Sequence, residues 1–214
     1  MRDLTKNRFR AARGRILARQ IRSLAQHLGR PIVILDVGGR PGYWDNVGYE
    51  NIGEIRLLNI DENEIDNAGD NGPFTRQIGD ARRLETYDDK SVDLAHANSV
   101  IEHVGGWEDM AAMASEMQRV GLAGWVQTPA WEFPIEPHFR MPFLHWFAAP
   151  VRRATLKLSK DYGALDVAQR RHHIERINLL SRGEMNTLFP TCDIYVEKLL
   201  VPKSYSARWG PGVS

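Results

Sequence analysis

Short apolar runs alternate with helical stripes along most of the chain. Ile32, Val33, Ile34, Leu35 and Val37 form one run, bounded by Pro31 on one side and Gly38-Gly39 on the other. A run that is apolar on both alternating faces predicts a strand buried on both sides, as in a parallel sheet. Before it, Ile16, Leu17, Ile21, Leu24, Ala25 and Leu28 recur at helical spacing among arginines. This predicts a helix over 4–28, stopped by Gly29. Further strands are expected at 55–61, 74–78, 92–97 and 125–128. Gly48 and Gly53 leave room only for a short helix or an irregular turn near 43–47. Met110, Met113, Ala114, Met117 and Val120 share one face of a helix predicted over 107–120, and the methionines read as core fillers.

The alternation stops at Pro129. Five prolines and six aromatic rings share residues 129–150, and prolines at that density exclude a regular sheet strand. A structured insertion is expected there, a lid or wall over one end of the sheet. A basic amphipathic helix is expected over 151–165. Another is expected over 181–189, with Ser181 as N-cap and Glu184 completing a capping box. Segments 194–201 and 203–208 are expected to pair as antiparallel strands. The fold class is therefore α/β: a Rossmann-like, doubly wound, mainly parallel sheet with an antiparallel C-terminal strand, in three αβα layers.

Length and composition suit one large domain with a small appendage: 214 residues, 43% hydrophobic and 26% charged. The net charge of +1 hides an asymmetry. Residues 1–30 carry nine Lys and Arg against one acid, Asp3, whereas the rest carries 19 bases and 26 acids. A basic arm on an acidic body serves as a solvated face salt-bridged to that body, the favoured reading, or meets RNA, anionic lipid or an acidic partner. The domain expectation follows: a basic helix over 1–30 and a main domain over 31–214 with the insertion at 129–150. Cys192, the single cysteine, excludes a disulfide framework. No apolar run reaches the roughly 18 residues of a membrane span, and the N-terminus lacks the apolar core of a secretory signal. A cytoplasmic location is the expectation. Seven histidines without a spacing such as H-E-x-x-H give no reason to expect a metal.

The loop after the first strand carries the chemistry. In an open α/β sheet, ligands sit beyond the carboxyl ends of the strands, and glycines there let the backbone approach them closely. The dinucleotide pattern G-x-G-x-x-G fails, because Arg40 stands where its second glycine is needed. Asp36, just before the loop, would repel a pyrophosphate. A cationic, phosphate-free cofactor suits it better, and S-adenosyl-L-methionine (SAM) is one.

Over roughly residues 30–130 the chain resembles the class I SAM-dependent methyltransferases of the type-11 group. The resemblance is carried by Ile34-Leu35-Asp36-Val37-Gly38-Gly39, Asn59-Ile60-Asp61, Ile78-Gly79-Asp80-Ala81-Arg82, Ser91-Val92-Asp93-Leu94 and Asn98-Ser99-Val100-Ile101-Glu102-His103-Val104. It implies SAM as cofactor. Gly38 and Gly39 would lie along its methionine portion and Asp36 would orient its amino group. Asp61 would take the ribose hydroxyls, Asp80 and Ala81 would meet the adenine, and Asn98 and Ser99, followed by His103, would line the methionine side. Gly42 and Glu62 complete the implied set. Arg40 departs from the family loop, which usually has glycine there.

Methyl transfer from a sulfonium needs an aligned nucleophile, and a hydroxyl nucleophile gains from a general base. The catalytic candidates on the acceptor side are His138, Glu136 and His145, with His103 behind them. His138 leads, because an ordinary histidine titrates near neutral pH. The aromatic insertion favours an acceptor with apolar or ring faces. The expected function is methyl transfer to a small-molecule, glycan or lipid intermediate, at oxygen. An RNA methyltransferase is the nearest alternative, raised by the basic arm but disfavoured by its single aromatic, Phe9. A non-catalytic SAM-binding or partner-binding module is the other, raised by Arg40. Contact of Trp146-Phe147 and the following bases with a membrane surface is a minor reading.

Overall fold

The computed structural model describes residues 8–61, 72–135, 139, 141–159 and 162–213. Glu62, Glu136 and His138, three of the expected site residues, lie outside them. In chain order the elements are α1 (Arg8–Leu28), β1 (Ile32–Val37), α2 (Pro41–Trp44), β2 (Ile52–Asn59), β3 (Phe74–Ile78), β4 (Val92–Asn98), α3 (Trp107–Val120), β5 (Gly121–Pro129), α4 (Ala149–Thr155), α5 (Val167–Glu175), α6 (Arg182–Leu188), β6 (Asp193–Leu199) and β7 (Val201–Trp209).

The strands form one seven-stranded sheet in the order β3-β2-β1-β4-β5-β7-β6. The first five run parallel, and β7 runs antiparallel to both β5 and β6. Strand alternation divides the core between the two faces. Ile32, Ile34, Ile55, Leu57, Leu94 and Trp125 meet Leu17, Ile21 and Leu24 of α1 and Trp44 of α2 on one face. Leu35, Val37, Ala95, Ala97 and Val126 meet the α3 methionines and Met185 and Leu188 of α6 on the other. The described part of the basic arm is thus a packed helix. Three of its bases meet acids of the body: Arg13 with Glu197 at 3.2 Å, Arg22 with Glu50 at 3.7 Å and Arg30 with Asp93 at 2.7 Å.

Four local expectations shift. First, β2 starts at Ile52 and ends at Asn59, so Asp61 lies beyond the strand rather than at its tip. Second, β5 begins at Gly121, directly after α3. A Cβ on Gly121 would sit 2.6 Å from the Ala123 carbonyl oxygen, so glycine is what lets the helix turn straight into the strand. Third, the helix expected over 151–165 breaks. α4 passes into a 3-10 turn, Leu156–Leu158, and the chain turns away at Ser159. Fourth, α5 was not anticipated, because its sequence has almost no apolar stripe. Its signal was the capping box Asp166-x-x-Gln169, in which each side chain bonds the other's backbone N–H at 2.7 and 3.0 Å. Phe139 and Leu144 pack with Leu156 and Ile174 into a third, small core beyond the carboxyl end of the sheet.

Candidate active site

Two adjoining cavities open at the carboxyl ends of the parallel strands. One, of about 480 Å³, is lined by residues that include Asp36, Gly38, Gly39, Arg40, Tyr43, His96, Asn98 and Ser99. The other, of about 420 Å³, is lined by residues that include Leu58, Asn59, Ile60, Gly79, Asp80, Ala81 and Val104. Gly38, Val100, His103 and Arg176 line both and mark where the two meet.

The loop after β1 is shaped by its glycines. Gly38 has φ +63°, and a Cβ there would meet Val100 Cγ2 at 2.6 Å. A Cβ on Gly39 would lie 1.9 Å from Asp36 Oδ2. Neither position admits a side chain without displacement. Arg40 is different. It has φ −133° and ψ 142° and serves as the cap residue of α2, with Pro41 opening the helix. Any residue adopts that extended backbone, so the departure from the family glycine leaves the loop unstrained. The Asn59 side chain, buried at the end of β2, donates to the Gly39 carbonyl at 3.2 Å and ties the loop to the next strand.

Asp36 lies beneath the loop and is 1% exposed. Its Oδ1 accepts from His96 Nδ1 at 2.6 Å, and its Oδ2 from Trp44 Nε1 at 2.8 Å. Register produces the first contact, because Asp36 of β1 sits directly beside His96 of β4. His96 is wholly buried. With Nδ1–H donating to Asp36, its Nε2 accepts from the Tyr43 hydroxyl at 3.3 Å. Burial pushes the Tyr43 hydroxyl pKa well up, outweighing Arg13; Asp36 pushes it the same way and Arg10 the other. Tyr43 therefore stays a protonated donor at neutral pH.

Asn98 and Ser99 close the same cavity at the end of β4. Ser99 has φ +57°, in the left-handed region, which costs a non-glycine residue about 1–3 kcal/mol. Its N–H donates to the Gln127 carbonyl at 2.9 Å and its hydroxyl to Gln127 Oε1 at 3.2 Å. The neighbouring β5 thus holds the strained residue in place.

In the other cavity, Asp80 is committed to Arg82. The Arg82 N–H donates to Asp80 Oδ1 at 2.9 Å, and the guanidinium grips both oxygens, with Nη2 at 2.6 Å from Oδ2. Arg82 also donates to Asp109 at 2.8 Å. The Arg82 side-chain bonds hold the Asp80 carboxyl below its usual range. A depressed folded pKa stabilises the protein above the unfolded value near ~3.9, and that stability is lost as pH falls through the folded value. Arg82→Ala is expected to return Asp80 to the ordinary carboxylate range and move this acid transition upward, as read by carboxyl carbon NMR titration.

Three further expected residues, Gly42, Asp61 and His145, line neither of these two cavities. Gly42 is exposed within α2, away from both cavities. Asp61 is exposed, next to Ile60. His145 lines a third cavity of about 310 Å³ with Trp131, Phe139 and Arg152. Its Nε2–H donates to the Trp131 carbonyl at 2.8 Å. Segments 102–105 and 176–178 clip together between the cavities: Asn178 N–H donates to Glu102 O at 2.9 Å and Asn178 Nδ2 to Gly105 O at 2.8 Å. His103 Nδ1–H donates to the Arg176 carbonyl at 3.3 Å. Tyr43, Trp44, His96, Asn59 and Arg176 were not read from the sequence. Among the described residues no group of three or more His, Cys, Asp or Glu is arranged to hold a metal.

The sheet order, with its reversed strand β7, and the double cavity at the β1, β2 and β4 ends define the class I SAM-dependent methyltransferase fold. Residues 35–124 match the family model described as a methyltransferase domain. The chain accordingly carries a SAM-dependent methyltransferase domain, with S-adenosyl-L-methionine as its cofactor.

Solved structures agree at the level of the fold. An S-adenosylmethionine-dependent methyltransferase from Mesorhizobium loti is 15% identical, with 84% of this chain and 92% of that one covered and a TM-score of 0.53. The PH0226 protein from Pyrococcus horikoshii is 16% identical, with 94% and 91% covered and a TM-score of 0.54. A Rhodobacter sphaeroides chain assigned to the Zn-dependent alcohol dehydrogenases is 8% identical, with 90% and 89% covered and a TM-score of 0.56. At these identities the likeness establishes the sheet and not the chemistry. No curated protein matches the chain.

The residues present fit SAM. Two glycines keep the loop clear where a Cβ would collide, an acid lines the first cavity, and the second cavity has an apolar wall at Leu58 and Val104 with Asp80 at its edge.

Proposed function

We propose that the chain transfers the SAM methyl group to an oxygen of a small-molecule, glycan or lipid intermediate. The observation that carries this reading is the junction of the two cavities at Gly38, Val100, His103 and Arg176. Residues of both cavities would hold SAM, with those at the junction beside its reacting portion. When bound, SAM supplies an activated methyl carbon for in-line transfer.

The residues of the chain then have separate tasks. The glycine loop admits the methionine portion. Asp36 offers negative charge to the ammonium from beneath, its geometry fixed by Trp44 and His96. Asp80 and Ala81 face the adenine, and Asp61 takes the ribose. His103 is the general base: its Nδ1–H donates to the Arg176 carbonyl, which sets the tautomer whose Nε2 is an acceptor. As the acceptor oxygen attacks, its proton passes to Nε2.

The test has two stages. Calorimetry with SAM is expected to show binding that weakens in Asp80→Asn; no heat and no thermal shift would sink the cofactor pose. A mixture of hydroxylated sugars and lipids is then searched by mass spectrometry for a product heavier by one methylene. His103→Ala is expected to lower the turnover found there by roughly 10²–10⁴-fold with SAM affinity unchanged. Equal loss with His145→Ala and none with His103→Ala would move the base to the third cavity.

A further inference from the structure

We propose that the surface built by Trp131, Phe143, Trp146, Phe147, Val151 and Leu158 docks onto an anionic lipid membrane. All six residues are exposed, Phe147 at 52% and Leu158 at 82%. Three of them form one aromatic cluster. The Phe143 and Trp146 rings lie 5.2 Å apart, and the Trp131 and Trp146 rings 6.1 Å apart. Trp146 Nε1 donates to the Trp131 carbonyl at 3.0 Å, which satisfies the indole and leaves its apolar body outermost. Phe143 has φ +60°, a conformation a bulky residue rarely holds.

The helical turns that follow extend the patch. α4 buries no residue, and Leu156 alone of the α4–Leu158 stretch turns into the small core. Val151, Ala154 and Leu158 stand three and four residues apart and are all exposed. They form an apolar stripe directed at solvent, the reverse of what a helix on a globular surface needs.

Charge identifies the occupant. Residues 139–159 contain four bases, Arg140, Arg152, Arg153 and Lys157, and no acid, and Glu175 of α5 meets one of them, Arg153, at 3.9 Å. Lys157 is exposed beside the stripe. Arg152 lines the third cavity, and burial followed by Arg153 lowers its pKa. Aromatic rings flanked by bases on a short helix form an interfacial pattern, in which rings enter the headgroup boundary and cations meet anionic lipid. An acidic protein would answer the charge but not an exposed apolar stripe and aromatic cluster. Placement adds to the case. Trp131 follows the end of β5 and also lines the third cavity, so docking turns the catalytic edge of the sheet toward the bilayer. No helix of the described residues is long and apolar enough to cross a membrane; contact would be peripheral.

Sedimentation of the full chain with vesicles tests this. Binding is expected to vesicles of mixed phosphatidylglycerol and phosphatidylcholine, to be far weaker to phosphatidylcholine alone, and to fall with added salt. The double variant Trp146→Ser/Phe147→Ser and the single variant Lys157→Glu are each expected to lower the partition coefficient about tenfold or more. Circular dichroism and the SAM-induced thermal shift should stay as in wild type. No binding to anionic vesicles at low salt, or variants that bind like wild type, overturns the proposal. So does self-association that the Trp146→Ser/Phe147→Ser variant abolishes while vesicles remain unbound, which would assign the surface to a second copy of the chain.

Discussion

Gly39→Ala is expected to lower both fold stability and SAM affinity sharply. The new methyl group would stand 1.9 Å from Asp36 Oδ2 and 2.2 Å from its Cγ. Neither neighbour is a mobile tip. The carboxylate is buried and held by His96 and Trp44, and Gly39 itself is tied to Asn59. The loop must therefore move, or the carboxylate must give up its partners. Overpacking of this kind costs about 1–3 kcal/mol, to be read as a lower urea midpoint at unchanged slope. SAM affinity falls with it, because a loop displaced by its own side chain no longer leaves the backbone clear. A binding cost of about 2–3 kcal/mol is on the order of 10²-fold in the dissociation constant. Gly183→Ala in α6 is the control: its Cβ would come no closer than 3.9 Å to a neighbour, and both readings should hold or improve slightly. A Gly39→Ala protein with wild-type midpoint and affinity would show that the loop is not built over Asp36.

Local pattern carried much of the fold. β1, β3 and α3 were legible because runs of alternating or helical period have clean ends: Pro31 and Gly38 for β1, Gly106 and Gly121 for α3. The expected β5 starts four residues late and ends one residue early, because Gly121 and Gly124 look like a helix stop and Pro129 like a strand stop. Gly124 is nevertheless a strand residue; it leaves room for the Trp209 ring, which would lie 2.0 Å from a Cβ there. The polar helix α5 escaped for want of a stripe. The cavity residues divide in the same way. Asp36, Gly38, Gly39, Asp80, Asn98 and Ser99 could be found because each follows or ends a strand, where an α/β sheet places its ligands. His96 could not, since its role comes from register with a strand 60 residues earlier. Read alone, it was one polar residue inside an apolar strand. That was itself a signal: a histidine within a buried strand must find a partner, and Asp36 is a carboxylate within another apolar strand run.

Asp36→Ala is expected to be the most destabilising single change in the site. It orphans two donors at once, Trp44 Nε1–H and His96 Nδ1–H, both inside the core. Each unsatisfied buried donor costs roughly 1–3 kcal/mol, so the two together cost about 2–6 kcal/mol. A loss in that range is a large part of the stability of a domain and is measurable by urea denaturation. His96→Ala alone leaves Asp36 with only Trp44, so it too should destabilise. The double variant Asp36→Ala/His96→Ala should lose less than the sum of the singles, with a coupling of about 0.5–3 kcal/mol, because the second truncation removes a group the first had orphaned. Additive losses would mean that the two residues stabilise the sheet independently. SAM affinity of the folded double variant then separates the two tasks of Asp36. Affinity lost beyond what the stability change explains assigns the carboxylate to the cofactor ammonium. Affinity kept would leave Asp36 as the buried post that holds Trp44, His96 and the glycine loop in place.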